Sequence, residues 1–320
     1  MRYRWWKGAL VALAALVLAL GMAACGDDDD DDGGSSGSST SSSSDQPGKG
    51  KPAVTLGSKD FTEQFILGEL YSQALKAKGY NVTLKRNIGS TEVIDKALTS
   101  GQIDGYPEYT GTILSVVAAE KRRPTTQEDA YDAAKAFQEK RGFTLLNPTP
   151  FYNSDAMGVT TKYAKENDLE SIEDVKKLGD KFTWGAPPES RTRFEGLVGL
   201  KDVYGLDEMK FKPLTIGLQY KALDTGDVQG ADVFTTDGQL SGDKYVVLAD
   251  PKKVFGFQNV APVFKQTVLE AQGPEFSKTL NDVSSKLTLE AMRTMNAAVD
   301  IDKQDPAQVA GQFLEANGLK

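Results

Sequence analysis

The 320-residue chain contains no histidine and a single cysteine, Cys25. Without histidine there is no Ser-His-Asp or Cys-His nucleophile system, no His-ligated zinc and no side chain that ordinarily shuttles protons at neutral pH. With one cysteine there is no disulfide and no thiolate chemistry in the folded part. An enzyme built from this chain would rely on Lys, Tyr and carboxylates alone, and no nucleophile motif is present. Positive charge is also scarce: 37 Lys and Arg face 45 Asp and Glu, a net charge of −8. No basic stripe exists to bind a nucleic-acid backbone.

The N-terminus reads as a targeting segment. Arg2, Arg4 and Lys7 precede an apolar run from Ala9 to Ala24, roughly 16 residues and short for a spanning helix. Met22-Ala23-Ala24-Cys25 resembles a bacterial lipobox, which makes residues 1–24 a lipoprotein signal peptide and Cys25 the lipidated first residue of the mature protein. Removing the three leading cations takes the net charge to −11, and Asp27 to Asp32 carry six of those charges. Residues 25–52, rich in Asp, Ser and Gly, bury too little to fold and are read as a tether, spanning roughly 30 Å as a flexible coil. The acidic run is read as solvated rather than metal-binding.

Beyond the tether the chain repeats a phrase. Residues 97–105 read ALTSGQIDG and residues 222–230 read ALDTGDVQG. Each is followed at the same offset by an aromatic and a threonine, Tyr109-Thr110 and Phe234-Thr235, and Thr55-Leu56-Gly57 is echoed by Thr183-Trp184-Gly185. A common helix-turn-strand phrase gives the same pattern, but the shared offset points to two similar lobes with a ligand held between them. The elements fit. A strand at 54–58, a helix capped by Asp60 with Glu63 closing a capping box, a strand at 82–85, a helix ending at Gly101 and a strand at 103–106 broken by Pro107 give a β-α-β-α-β rhythm. It restarts with a strand at 182–184, a helix from Ser190, a helix at 216–223 and a strand at 229–234, and helices at 274–296 and 306–317 close the chain. Extended crossings near residues 153 and 255 divide the fold into lobe 1 (53–153 plus 255–320) and lobe 2 (154–254), with the crossings as hinges. A simple tandem of two domains is the competing reading.

Five segments together resemble the glycine betaine/choline/carnitine-type substrate-binding proteins of ABC importers. They begin at Leu56-Gly-Ser-Lys-Asp-Phe-Thr-Glu-Gln, Asp104-Gly-Tyr-Pro-Glu-Tyr-Thr-Gly-Thr, Val203-Tyr-Gly-Leu, Gly217-Leu-Gln-Tyr-Lys-Ala-Leu and Phe234-Thr-Thr-Asp-Gly. The resemblance covers residues 53–320. It implies an α/β, bilobal type II periplasmic-binding-protein (Venus flytrap) fold and a lipid-anchored, monomeric receptor on the outer face of the cytoplasmic membrane of a Gram-positive-type bacterium. Such a receptor serves osmoprotection by delivering solute to a permease and its ATPase; no enzymatic activity, cofactor or metal is implied.

The resemblance also implies a site. A quaternary ammonium donates no hydrogen bond and is held by aromatic faces, whereas a carboxylate needs cationic and hydroxyl donors. Lys59 and Thr112 match the lobe 1 carboxylate donors, and Arg193, with Arg191 as a rival, matches the lobe 2 arginine. Tyr109 and Tyr220 match cage tyrosines, and Phe234 stands where the family has an aromatic. Each has a plainer reading: a solvated turn for Lys59, packing for Tyr109, Tyr220 and Phe234, and core for Trp184. Two positions depart from the pattern. Ala156 follows Asp155 at the first crossing where a cage aromatic is expected, and Gln258 replaces a tyrosine at the second. With Asp155 and Gln258 offering hydrogen bonds, a more polar, amino-acid-derived zwitterion is the alternative ligand. An extracytoplasmic enzyme or a ligand sensor is the remote alternative.

Overall fold

The structure, a computed structural model, describes residues 46–120 and 124–320. The signal peptide 1–24, Cys25 and the run Asp27 to Asp32 lie outside the described residues. The last part of the expected tether does not behave as one: Gly48 is buried and its N–H donates to the Lys78 carbonyl at 3.0 Å. The backbone at 46–51 packs at the end of the first helix, so the chain is fixed several residues before position 53.

Among the described residues ten strands form two five-stranded sheets. The first contains β1 (Val54–Gly57), β2 (Val82–Lys85), β3 (Gly105–Tyr109), β4 (Phe143–Leu145) and β10 (Val260–Lys265), in the order β2-β1-β3-β10-β4. The second contains β5 (Asp155–Thr160), β6 (Thr183–Ala186), β7 (Lys210–Pro213), β8 (Gly230–Phe234) and β9 (Tyr245–Val247), in the order β7-β6-β8-β5-β9. The two orders superimpose term by term. In each sheet the first three strands run parallel and the fourth antiparallel to the third. This mixed α/β architecture gives two lobes.

The repeated phrase is the sequence trace of that symmetry. Gly101 and Gly226 both follow a helix, Thr91–Thr99 and Gln219–Thr225, with φ of 81° and 73°, the left-handed turn that glycine enters without strain. The chain then enters β3 and β8. Leu56 pairs with Gly105 in one lobe and Trp184 with Gly230 in the other, so the upstream echo sits in the same register as well. Tyr109 and Phe234 are the last residues of β3 and β8.

Each lobe buries its own core. Helix Thr62–Ala77 packs Ile66, Leu67 and Leu70 against Phe276, Leu280 and Leu314 of the C-terminal helices. In the second lobe Phe182 and Trp184 centre a cluster with Leu200, Tyr204 and Met209. The N-cap of helix Thr62–Ala77 is Phe61 in extended conformation, not Asp60, and no side chain caps it. Glu63 is drawn away from a capping role because it accepts bonds from across the molecule. Pro107 does not break the strand; it sits inside β3 opposite Pro262. The neighbour β1 pairs with β3 only at Gly105, so Pro107 lies beyond its end and its missing N–H leaves no ladder bond unmade. The segment 274–296 is two helices, Pro274–Lys286 and Leu289–Asp300, because Thr288 caps the second by accepting from the Ala291 N–H at 3.1 Å.

Two crossings join the lobes, between β4 and β5 and between β9 and β10. They are tied to each other: Tyr152 and Asn259 form an antiparallel bridge, the Asn153 N–H donates to the Gln258 carbonyl at 3.0 Å, and the Ser154 hydroxyl donates to the Phe255 carbonyl at 3.1 Å.

Candidate functional site

The carboxyl ends of the parallel strands in both sheets open onto one crevice, where ligands of open α/β sheets bind. The loop after β1 brings Lys59 and Phe61, and β3 delivers Tyr109 and Thr112. The loop after β6 brings Arg193 and Glu195, and β8 ends at Phe234. Asp155 enters at the start of β5 and Gln258 just ahead of β10, because antiparallel strands begin where their parallel neighbours end. Lys59, Tyr109, Thr112, Asp155, Arg193, Phe234 and Gln258 line one interlobe cavity of about 70 Å³.

Tyr220 is not with them. It lines a neighbouring cavity of about 280 Å³, where its hydroxyl donates to Asp237 at 2.7 Å and its ring meets Tyr245 edge-on at 4.7 Å. The two cavities share Asp60, Phe61, Asn153, Ile216 and Phe234. Arg191 does not reach the crevice either; its guanidinium lies 4.9 Å from the centre of the Phe211 ring. Trp184 is a core residue. Ala156 points into the core with Tyr220 and Val233, since side chains alternate along a strand. Of these two neighbours Asp155, not Ala156, faces the cavity, and an aromatic at 156 would face the wrong way.

The charged candidates are already engaged. Lys59, 4% exposed, pairs with buried Glu108 and donates to the Thr91 hydroxyl at 2.9 Å. Burial lowers its pKa, opposed by the Glu108 charge. Its ammonium lies 4.9 Å from the Tyr109 ring centre. Arg193 reaches across the crevice and forks onto Glu92 at 2.9 and 3.0 Å. Gln258 uses both ends of its amide. Its oxygen accepts from the Thr112 N–H and hydroxyl at 2.9 and 3.1 Å, and its Nε2 donates to Glu195 at 3.0 Å. Glu195 also accepts from Ser115 of the first lobe at 2.8 Å.

Several residues of this site carry no local signal. Phe61 lies between the two strand-end aromatics, 6.2 Å from Tyr109 and 5.3 Å from Phe234, with rings inclined by 24° and 23°. Its place inside the segment that begins at Leu56 is the one clue the sequence offers. Glu63 accepts from the Tyr109 hydroxyl, Asn153 and Asn296 at 2.9, 2.9 and 3.1 Å; burial still raises its pKa, against those bonds. Glu195 and Asp232 join Asp155 in the cavity wall. Burial, reinforced by Asp155, pushes Glu195 up to about 8. Burial raises Asp155 to about 6 against the pull of Arg193 and Lys59, and lifts Asp232 well above the carboxylate range. The site therefore combines an aromatic stack, a guanidinium paired across the crevice and a group of buried carboxyls.

Comparison with known proteins agrees with this architecture. Residues 52–316 match the family described as the substrate binding domain of ABC-type glycine betaine transport system. The chain is 33% identical over 275 residues to a glycine-betaine-binding protein of Pseudomonas aeruginosa, covering 82% of this chain and 88% of that protein. It is 31% identical over 274 residues to the ergothioneine transport permease/ergothioneine binding protein EgtU of Helicobacter pylori, covering 84% of this chain and 48% of that longer protein. Among solved structures, a glycine betaine/carnitine/choline ABC transporter protein superimposes with a TM-score of 0.68 at 27% identity, covering 83% of this chain and 99% of that one.

Proposed function

Because the chain belongs to the family of substrate-binding domains of ABC-type glycine betaine transport systems, we propose that it is the extracytoplasmic, lipid-anchored receptor of an importer, without enzymatic activity of its own. It captures a small zwitterion between lobe 1 (53–153 plus 255–320) and lobe 2 (154–254) and delivers it to a permease and its ATPase. Cys25 is the anchor and residues 26 to about 45 the tether. The observation that carries this reading is the cavity to which both lobes contribute, lined by Lys59, Tyr109, Thr112, Arg193 and Phe234.

A carboxylate replaces Glu92 on the Arg193 fork, with Lys59 and Thr112 behind it. The cation faces Phe61, Tyr109 and Phe234, each desolvated ring contributing roughly 0.5–2 kcal/mol. Solute bridging both lobes stabilises the closed form, because only that form makes both sets of contacts, and the permease reads the closed surface. Tyr220 belongs to the neighbouring cavity and shapes the site from behind Phe234.

Within the zwitterions, Gln258 favours a polar, amino-acid-derived solute over a quaternary one. It stands at an expected cage position and offers an amide bonded to Thr112 and Glu195 in place of an aromatic face. A thermal-shift panel of betaine, choline, carnitine, proline betaine, ergothioneine and amino acids tests the reading. A ~100 µM binder at ~10 mM adds about 2.7 kcal/mol, a rise of roughly 5–10 °C for a domain of this size. No shift with any member of the panel overturns it.

A further inference from the structure

The next step rests on the receptor reading above. Carboxylates outnumber cations in the wall of the interlobe cavity: Asp60, Asp155, Glu189, Glu195 and Asp232 against Lys59 and Arg193. Both cations are already compensated by carboxylates, Lys59 by Glu108 and Arg193 by Glu92. Several of the hydrogen-bond donors are spent as well, Thr112 on Gln258, Gln258 on Glu195 and Ser90 on Glu92.

The acceptors are not. Asp232 is 4% exposed, and its Oδ1 has no hydrogen-bond partner among the described residues. Asn153, 5% exposed, donates its Nδ2 to Glu63 and leaves its Oδ1 without a partner among the described residues. Asn153 is an amide, so this vacancy is independent of the acid count. A buried acceptor left unmade is costly, and buried neighbouring carboxyls hold their protons unless a cation enters to let them ionise. A trimethylammonium supplies charge but no hydrogen bond, and its methyl shell keeps the charge away from the oxygens. A cation with N–H groups supplies both.

We propose that the cationic end of the solute is an ammonium or guanidinium bearing N–H donors, received by Asp155, Glu195 and Asp232 with the Asn153 oxygen, and that these residues select against quaternary ammonium solutes.

Two matched series on the full chain test this by calorimetry: glycine through its mono-, di- and trimethylated forms, and 4-aminobutanoate through the same steps, each with its guanidino analogue. Affinity falls at least tenfold from the best N–H-bearing member to the trimethylated member of the same skeleton. Asp232→Asn lowers binding of the N–H-bearing member at least tenfold and changes the trimethylated member less than threefold. Glu195→Gln gives the same split, so a variant that fails to fold does not remove the test. Trimethylated members that bind as tightly as their amines, or equal losses in both classes, overturn the proposal and leave the receptor reading standing. Absence of binding across both series overturns the receptor reading for small zwitterions, and this proposal with it.

Discussion

The Arg193 guanidinium grips the Glu92 carboxylate in a fork, at 2.9 and 3.0 Å, from the opposite side of the crevice. The Glu92 side chain is 51% exposed, and an ion pair this wet contributes about 0–1 kcal/mol. On the proposed function, Glu92 occupies the place of a solute carboxylate and is inexpensive to displace. Glu92→Gln removes the competitor. Calorimetric affinity for a bound zwitterion is expected to rise by up to about fivefold, with the melting temperature changed by no more than a few degrees. A fall in affinity would show that the pair holds the closed form rather than competing with solute.

Phe61 makes a different prediction. It is the middle ring of three, stacked between the ends of β3 and β8, so it serves both lobes at once. Each aromatic contact is worth roughly 0.5–1.5 kcal/mol. Phe61→Ala is expected to weaken solute binding by about tenfold or more, and Phe61→Tyr to restore most of it. If the alanine variant binds as the parent does, the stack is packing alone.

The buried acids set the pH dependence of stability. Burial raises Asp155 to about 6, Asp237 to about 7 and Glu195 to about 8. Glu195 faces Asp155 and Arg193, and bonds to Ser115 and Gln258. Between about pH 4.5 and 8 the folded chain holds protons that the unfolded chain has released, so stability falls as pH rises through this window. Scanning calorimetry without solute is expected to show a melting temperature that declines from pH 5 to pH 8. Glu195→Gln mimics the protonated acid; it matches the parent near pH 5 and melts higher near pH 8. A parent protein whose stability rises steadily over that range contradicts the assignment.

The repeat carries a stability prediction. A Cβ on Gly105 would lie 2.3 Å from the Phe264 ring, and one on Gly230 would lie 2.4 Å from the Phe182 ring. The two glycines occupy the same register in the two sheets. Overpacking of this kind costs about 1–3 kcal/mol. Gly105→Ala and Gly230→Ala are each expected to lower the melting temperature by several degrees.

Those glycines also show what a sequence makes legible. A left-handed turn, a crowded strand start and a strand-end aromatic are local requirements, so they recur as the same residue or residue class, and the two-lobed fold could be read from them. The strand through Pro107 was not legible, because whether a proline breaks a strand depends on where its neighbour ends. The site divides in the same way. Lys59, Tyr109 and Thr112 sit in recognisable phrases beside strand ends and reach the cavity, as does Arg193, which lies outside any such phrase. Ala156 and Asp155 differ by one position, and strand parity, which the sequence leaves open at a crossing, decides which one faces the cavity. Tyr220 sits in an equally recognisable phrase, yet the turn of its helix sends it to the neighbouring cavity. Glu195 and Asp232 gather around Asp155 only through the packing of separate loops and strands, and no spacing announces that.

The account turns on Arg193 as the group that ties a solute in the cleft to the second lobe. Calorimetry of Arg193→Ala with the tightest-binding zwitterion tests it most directly. The account predicts at least a tenfold loss of affinity, about 1.4 kcal/mol, with the melting temperature of the unliganded protein essentially unchanged. Unchanged affinity in a folded variant would contradict it.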